Sequence, residues 1–259
     1  MPRAPSGQRR RAKSAKPPLG VALTYAGVIR GILGRVQAKI LSEALADRSD
    51  TRSDAKPKTP GQIVQGVKLE LEETLDPANL SPRLQRFAKK VSGKNKDELK
   101  RVAGISSVDI GIKGTLDVFR DRNVELIQSL VGKQLDAIQD LLIEAEAGAW
   151  QVDVLRQEIQ ASFGVAKSKA DLLARDQILK LNGQLVETRQ TQAGITEYIW
   201  TTSGDERVRD SHKALDGTRQ SWLVPPIISE DGRTGHPGDD YQCRCTAFPV
   251  LPELDAGTA

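Results

Sequence analysis

Soft metal ligands and aromatic residues are scarce in this chain of 259 residues, which has two Cys, two His, one Met and aromatics at only 4%. Two cysteines cannot supply a disulfide framework, so the expected setting is a reducing cytoplasm. The chain has no Gly-rich phosphate loop, no His-Glu-x-x-His helix and no His-x-Glu paired with Pro-Cys-x-x-Cys, which excludes the nucleotide-cradling, metalloprotease and deaminase readings. Carboxylates are plentiful, but nothing singles out a catalytic pair. No uninterrupted apolar run matches the length of a bilayer crossing. A secretory signal, suggested by LGVALTYAGVI and the small-residue site Ala44-Leu45-Ala46, is rejected because Arg30 and Arg35 interrupt the apolar stretch.

The chain is 38% hydrophobic, enough to bury a core, and its net charge of +4 conceals an asymmetry. Residues 1–60 hold 13 of the 38 Lys/Arg but only 4 of the 34 Asp/Glu, so the remainder is net acidic. Within residues 1–18, Arg3, Arg9, Arg10, Arg11, Lys13 and Lys16 alternate with Pro and Ser without an acidic residue. Such a segment is too polar to fold alone and reads as a disordered arm that contacts phosphate or an acidic partner, or as a solvated tail.

The hydrophobic periodicity predicts a mainly α protein with a small C-terminal α+β unit. After the basic arm (1–18), residues 19–60 read as an amphipathic helix and a polar linker; Val21, Tyr25, Val28, Ile32, Val36 and Ile40 recur at helical steps. Residues 61–193 read as a helical body. Its first part is expected as short helices broken at Asp76-Pro77, Ser81-Pro82 and Ser92-Gly93. A long helix over 115–147 carries Val124, Ile127, Val131, Leu135, Ile138 and Leu142. A short helix from Val152 to Phe163 should stop at Gly164, and the capping-box spacing of Ser168 and Asp171 predicts a fresh start. Residues 194–259 change character: ITEYIW and CRCTAFPV read as strands, and the turn signals crowd between them.

Both histidines and both cysteines fall between His212 and Cys245. Thiolate and imidazole donors suit tetrahedral zinc, and a metal is a common staple where a small turn-rich unit has little apolar area to bury. Ser203 and Glu206 have capping-box spacing, predicting a helix through DERVRDSHKAL whose inward face carries Val208, His212 and Leu215. Cys243 and Cys245 would share one face of a strand. The expected ligands are His212, Cys243 and Cys245, with His236, another oxygen donor or water completing the set. Asp205 is too far along that helix to join them and is assigned to capping or a salt bridge with Arg209. The alternative is a hydrogen-bonded core histidine beside two small buried thiols. Trp200 and Trp222 are expected to pack the small unit.

The run YIWTTSGDERVRDSHKALDGT followed by HPGDDYQCRCTAFPV resembles the C-terminal signature of the phage Mu F-like minor head morphogenesis proteins. The resemblance rests on Trp200, Asp205, Arg207, His212, Gly217, Pro237-Gly238 and Cys243-Arg244-Cys245, and extends more weakly through Phe119–Leu130 and Phe163–Asn182. It covers roughly residues 115–250. Lys169 stands where the family usually has Arg, and Asp176-Gln177 where Thr-Glu is common. The resemblance implies a structural, non-catalytic protein of the phage head, in the head interior near the portal protein and the packaged double-stranded DNA, with no membrane in the assembled head. Two rival classes are a metal-dependent nuclease or transferase toxin module and a zinc-containing nonspecific nucleic-acid binding protein. The first lacks a catalytic carboxylate arrangement and the second lacks a DNA-reading motif.

Overall fold

The computed structural model describes residues 16–49, 58–106 and 109–251; Arg3, Arg9, Arg10, Arg11 and Lys13 lie outside them. Among the described residues the chain forms five long helices and then a small mixed region. The helices are α1 (Leu19–Ser49), α2 (Pro60–Leu75), α3 (Pro77–Ala103), α4 (Ile112–Ala147) and α5 (Val152–Gln192). They are followed by β1 (Glu197–Thr201), the short α6 (Asp210–Leu215), β2 (Arg219–Ser221) and β3 (Thr246–Pro249). The protein is mainly α with a small C-terminal α+β region, as the periodicity predicts.

Two compact units interleave along the chain, and the dividing points fall inside helices. The helical unit, Leu23–Gln85 with Arg120–Ala174, is built on aliphatic stripes. In α1 the buried face carries Tyr25, Ile29, Ile32, Leu33, Val36 and Ile40, with Ile29 rather than Val28 filling the second turn. Helix α2 contributes Ile63, Val64, Val67 and Leu71. All six α4 residues of the predicted stripe are buried, and α5 adds Leu155, Ile159 and Phe163. The Tyr25 hydroxyl donates to Asn123 Oδ1 at 2.8 Å, and its burial pushes the phenol far above its ordinary pKa.

Helix boundaries depart from the sequence pattern in instructive places. Only Asp76-Pro77 breaks the chain: Pro77 takes the first helical position, where its missing N–H is not needed, and Asp76 Oδ1 accepts from Ala78 N at 2.7 Å. Pro82 and Gly93 are absorbed within α3, whose buried Leu80, Leu84, Ala88, Val91 and Leu99 outweigh those local penalties. Gly164 likewise does not stop α5. The buried row Ile159, Phe163, Ala166 and Ala170 runs past it, and Ser168 bonds back to Gly164 O at 3.1 Å instead of capping a new helix. Helix α1 runs to Ser49, and Thr59 opens α2 with a complete capping box to Gln62.

By length and composition Leu19–Ala46 is apolar enough to cross a bilayer, which corrects the expectation drawn from uninterrupted runs. Arg30, Arg35 and Lys39 are too few to offset the surrounding aliphatics. In the fold the stripe from Tyr25 to Ile40 is core, Arg30 pairs with Asp171, and Lys39 pairs with Glu70 at 2.8 Å and Glu43 at 3.1 Å.

The mixed unit comprises Met1–Ala22, Arg86–Phe119 and Arg175–Ala259. Its antiparallel sheet has the order β2-β1-β3, with Tyr198 opposite Gln220 on one side and Pro249 on the other. One core gathers Tyr198, Trp200, Leu215, Trp222, Ile228, Cys243, Cys245 and Ala247 around Val186 of α5. Both tryptophans pack this core, as expected. Buried amides and charges tie it to the helices. Gln190 donates to Ala247 O at 3.0 Å and accepts from Trp222 Nε1 at 3.1 Å. Arg189 donates from Nη1 to Ser92 O and Asn95 Oδ1, and from Nη2 to Ser92 Oγ and Asp109 Oδ1, all within 2.9 Å.

Candidate metal centre

The chemistry of the site begins with the turn that follows β1. Gly204 takes φ +72, which a right-handed helix cannot accommodate, so residues 203–209 turn and α6 starts only at Asp210. This corrects the predicted helix through DERVRDSHKAL. Asp216 reaches back over α6, accepting from Thr202 N at 2.8 Å and Thr202 Oγ1 at 3.0 Å. Gly217, at φ +74, then donates to Trp200 O at 2.8 Å. Helix α6 is thus pinned against the end of β1, and His212 points into the core at 2% exposure.

Cys243 and Cys245 arrive from the opposite side, in the irregular chain just before β3 rather than within a strand. Two devices hold that loop against α5. A Cβ on Gly183 would meet Pro237 O at 2.6 Å, so the Pro237-Gly238 turn lies directly on the helix backbone. Gly238 itself takes φ +104, where a side chain would be strained and would meet Leu179 O at 3.1 Å. The second device is Asp176, buried in α5, whose Oδ1 accepts from Gln242 N at 2.8 Å while Gln242 takes φ +56.

The outcome is three buried soft donors converging on one point. His212 Nδ1 lies 3.5 Å from Cys245 Sγ and 3.8 Å from Cys243 Sγ, and all three donor atoms fall within 4.8 Å of one another. Tetrahedral zinc, with bonds of about 2.0–2.3 Å, places its ligand atoms about 3.6 Å apart. The donor set therefore fits. A bond shared with Cys245 pulls the Cys243 thiol well below its ordinary pKa against the effect of burial, with help from His212 and the Gly238 and Cys245 backbone N–H groups. The same sharing, together with burial, pushes Cys245 up. Of the two thiols, Cys243 is therefore the one that ionises more readily.

The far side of the imidazole faces a carboxylate. His212 Nε2 is buried without a completed hydrogen bond, and Asp240 Oδ2 stands 3.5 Å away. Asp240 accepts from Tyr241 N at 2.8 Å and pairs with Arg233 at 3.2 Å and Arg209 at 3.3 Å. Although burial opposes ionisation, these groups hold Asp240 below the usual carboxylate range. A carboxylate behind a histidine fixes the tautomer that leaves the other nitrogen free for a metal. Trp200 stands edge-on to the same ring, with centroids 5.5 Å apart, and its otherwise unpartnered indole N–H favours the Cys245 thiolate.

The structure does not bring His236 to this point. Its Nδ1 bonds the Tyr198 hydroxyl at 2.9 Å, its backbone N–H donates to Asp239 Oδ2 at 2.6 Å, and its ring packs on Trp222. Asp205 does not pair with Arg209. It forms a two-pronged bridge to Arg244 at 2.5 and 2.6 Å, and the backbone N–H of the exposed Arg207 donates to it. Arg244 thus points away from the sulfurs on either side of it and locks the 203–209 turn to the Cys-x-Cys loop. Sequence reasoning missed Asp240, Asp176 and Gly183. Only the Asp239-Asp240 pair, three residues before Cys243, offered a local signal.

A helix-borne histidine pinned at the end of β1 and a Cys-x-Cys loop docked on α5 bring three His/Cys donors together beside a three-stranded sheet. Residues 136–248, which contain these donors, match the family described as phage Mu protein F-like. A protein of Haemophilus influenzae described as uncharacterized is 36% identical over 129 residues, half of this chain and 28% of its own length. An uncharacterized protein of Methanocaldococcus jannaschii is 25% identical over 142 residues, covering 52% of this chain and 21% of its own length. The chain thus spans less than a third of either relative. No solved structure matches it significantly.

Proposed function

We infer that the chain is a phage head-morphogenesis protein whose C-terminal unit carries one structural zinc ion. The family match over residues 136–248 carries the reading of a phage head protein. Its signature also has a physical explanation here: Asp205 and Arg244 pair, Gly217 and Gly238 occupy left-handed turns, and His212, Cys243 and Cys245 converge. We assign it a non-catalytic role in head assembly, DNA packaging or DNA delivery, inside the head near the portal protein and the packaged double-stranded DNA. No membrane is involved in the assembled head.

For the metal, the supporting observation is the spacing of three buried soft donors, with Asp240 behind the imidazole. Water or another oxygen donor completes the set. Purified particles should contain the chain in few copies, and particles lacking it should form shells that retain or deliver DNA poorly. Elemental analysis of the isolated chain should give about one zinc. Robust nuclease or transferase activity, abolished by His212→Ala without unfolding, would instead favour the toxin-module alternative. A chain absent from particles but binding DNA freely would favour the nucleic-acid binding alternative.

A further inference from the structure

Helix α3 is the most one-sided element of the fold. It carries Arg83, Arg86, Lys89, Lys90, Lys94, Lys96, Lys100 and Arg101 against Asp97 and Glu98. Lys96 is engaged by Asp109 at 3.0 Å, and Arg101 by Glu98. Arg86, Lys89, Lys90, Lys94 and Lys100 are exposed and have no carboxylate partner among the described residues. At 3.6 residues per turn these five occupy an arc of about 140° along about 21 Å of helix. Asp97 is the one acidic group inside that arc. Cations confined to one face with so few anions repel one another, and no carboxylate pairs with these five among the described residues.

We propose that this face of α3 binds the phosphate backbone of double-stranded DNA without reading its sequence. A duplex presents one charge per about 1.7 Å, so the stripe faces about a dozen phosphates, and engaging even part of it releases condensed counterions. An acidic protein is a poorer occupant. Four of the five cations are lysines, with no exposed apolar anchor among them, whereas protein interfaces deplete lysine and rest on buried aromatic or arginine anchors. A membrane is poorer still, because the apolar face of α3 is core and cannot insert. Lys16 borders the same cavity of about 350 Å³ as Lys94 and Arg101 and adds a further cation beside this stripe. The stripe lies outside the family-matched residues. It extends the DNA-contact part of the head-protein reading, and an assay without particles lets the two fail separately.

The test measures the full chain on a random-sequence duplex by fluorescence anisotropy over a salt series. R86Q/K89Q/K90Q/K94Q is compared with K113Q/K133Q/R156Q/K169Q, which removes the same charge from exposed positions on α4 and α5. Circular dichroism checks that both variants stay helical. The α3 variant should bind at least tenfold more weakly at about 0.1 M salt, with a slope shallower by about 2 to 3, while the control changes less than threefold. Unchanged binding by the α3 variant, or equal losses in both variants, would overturn the proposal. So would α3-dependent binding to polyglutamate or to anionic vesicles that matches the duplex.

Discussion

The helical unit and the mixed unit are stabilised by different means. In the former, long runs of Ile, Leu and Val at steps of three and four bury against one another, and the buried polar groups, such as Tyr25 with Asn123, are few. In the latter, Arg189, Gln190, Asp176, His212, His236 and Asp240 are all buried within one small region. Apolar burial is additive and indifferent to direction, so it survives single errors. A buried polar network is directional, and each missing partner leaves another group unsatisfied. The mixed unit should therefore be the more sensitive to the loss of single atoms.

The largest effect should come from the metal. If zinc is present at about a thousand times its dissociation constant, it adds about 4 kcal/mol to the unit that binds it. Chelation, or Cys243→Ser, should remove that stabilisation and loosen the region after Trp200 while the long helices persist. Hydrogen exchange would read both regions at once, and uniform loss across the chain would erase the contrast between the units. In the helical unit, Ile127→Ala should cost about 3 kcal/mol through the cavity it leaves, measured by urea unfolding, with the zinc content unaltered.

Which half could be read in advance follows from the same difference. The α4 stripe was legible because burial on a helix repeats every three to four residues and needs no distant partner. Cys243, Cys245 and His212 were legible as scarce residues crowded together. The false stops at Gly164 and Ser92-Gly93, and the false cap at Ser168, arose because tertiary packing overrode local propensities worth about 1 kcal/mol. Asp176 supporting Gln242 and Arg189 reaching Ser92 were not legible, since each joins positions more than sixty residues apart.

Long-range docking of the cysteine loop can be broken at Gly183. Gly183→Ala should cost about 2 kcal/mol, because the added methyl would stand 2.6 Å from a backbone oxygen that cannot rotate away. It should also lower zinc affinity by displacing the loop that carries the cysteines. Stability lost with zinc affinity intact would mean that the loop holds its shape without α5. Asp240→Asn acts from the other side of the imidazole. It should weaken zinc binding about 10- to 100-fold in a competition titration while leaving the helical unit alone, and an unchanged affinity would show that Asp240 does not orient His212.

The smallest effect belongs to Asp109, where the buried network meets solvent. A hydrogen bond from Arg189, then one from Lys96, holds its carboxyl below the ordinary value, so the folded state binds this proton more weakly than the unfolded chain does. The stabilisation is complete above the unfolded pKa of about 3.9, and is lost as pH falls through the depressed folded value. Asp109→Asn should therefore be less stable than the parent by a constant margin from neutral pH down to about 5, and the two should converge below that range. Because the Asp109 side chain is 45% exposed, water screens the pair and the margin should be small. Urea unfolding at about pH 7 and pH 3 measures it. A margin that grows on acidification would mean that the fold holds the Asp109 carboxyl above its ordinary range, and no margin at either pH would mean that Arg189 draws its support from Ser92 and Asn95 alone.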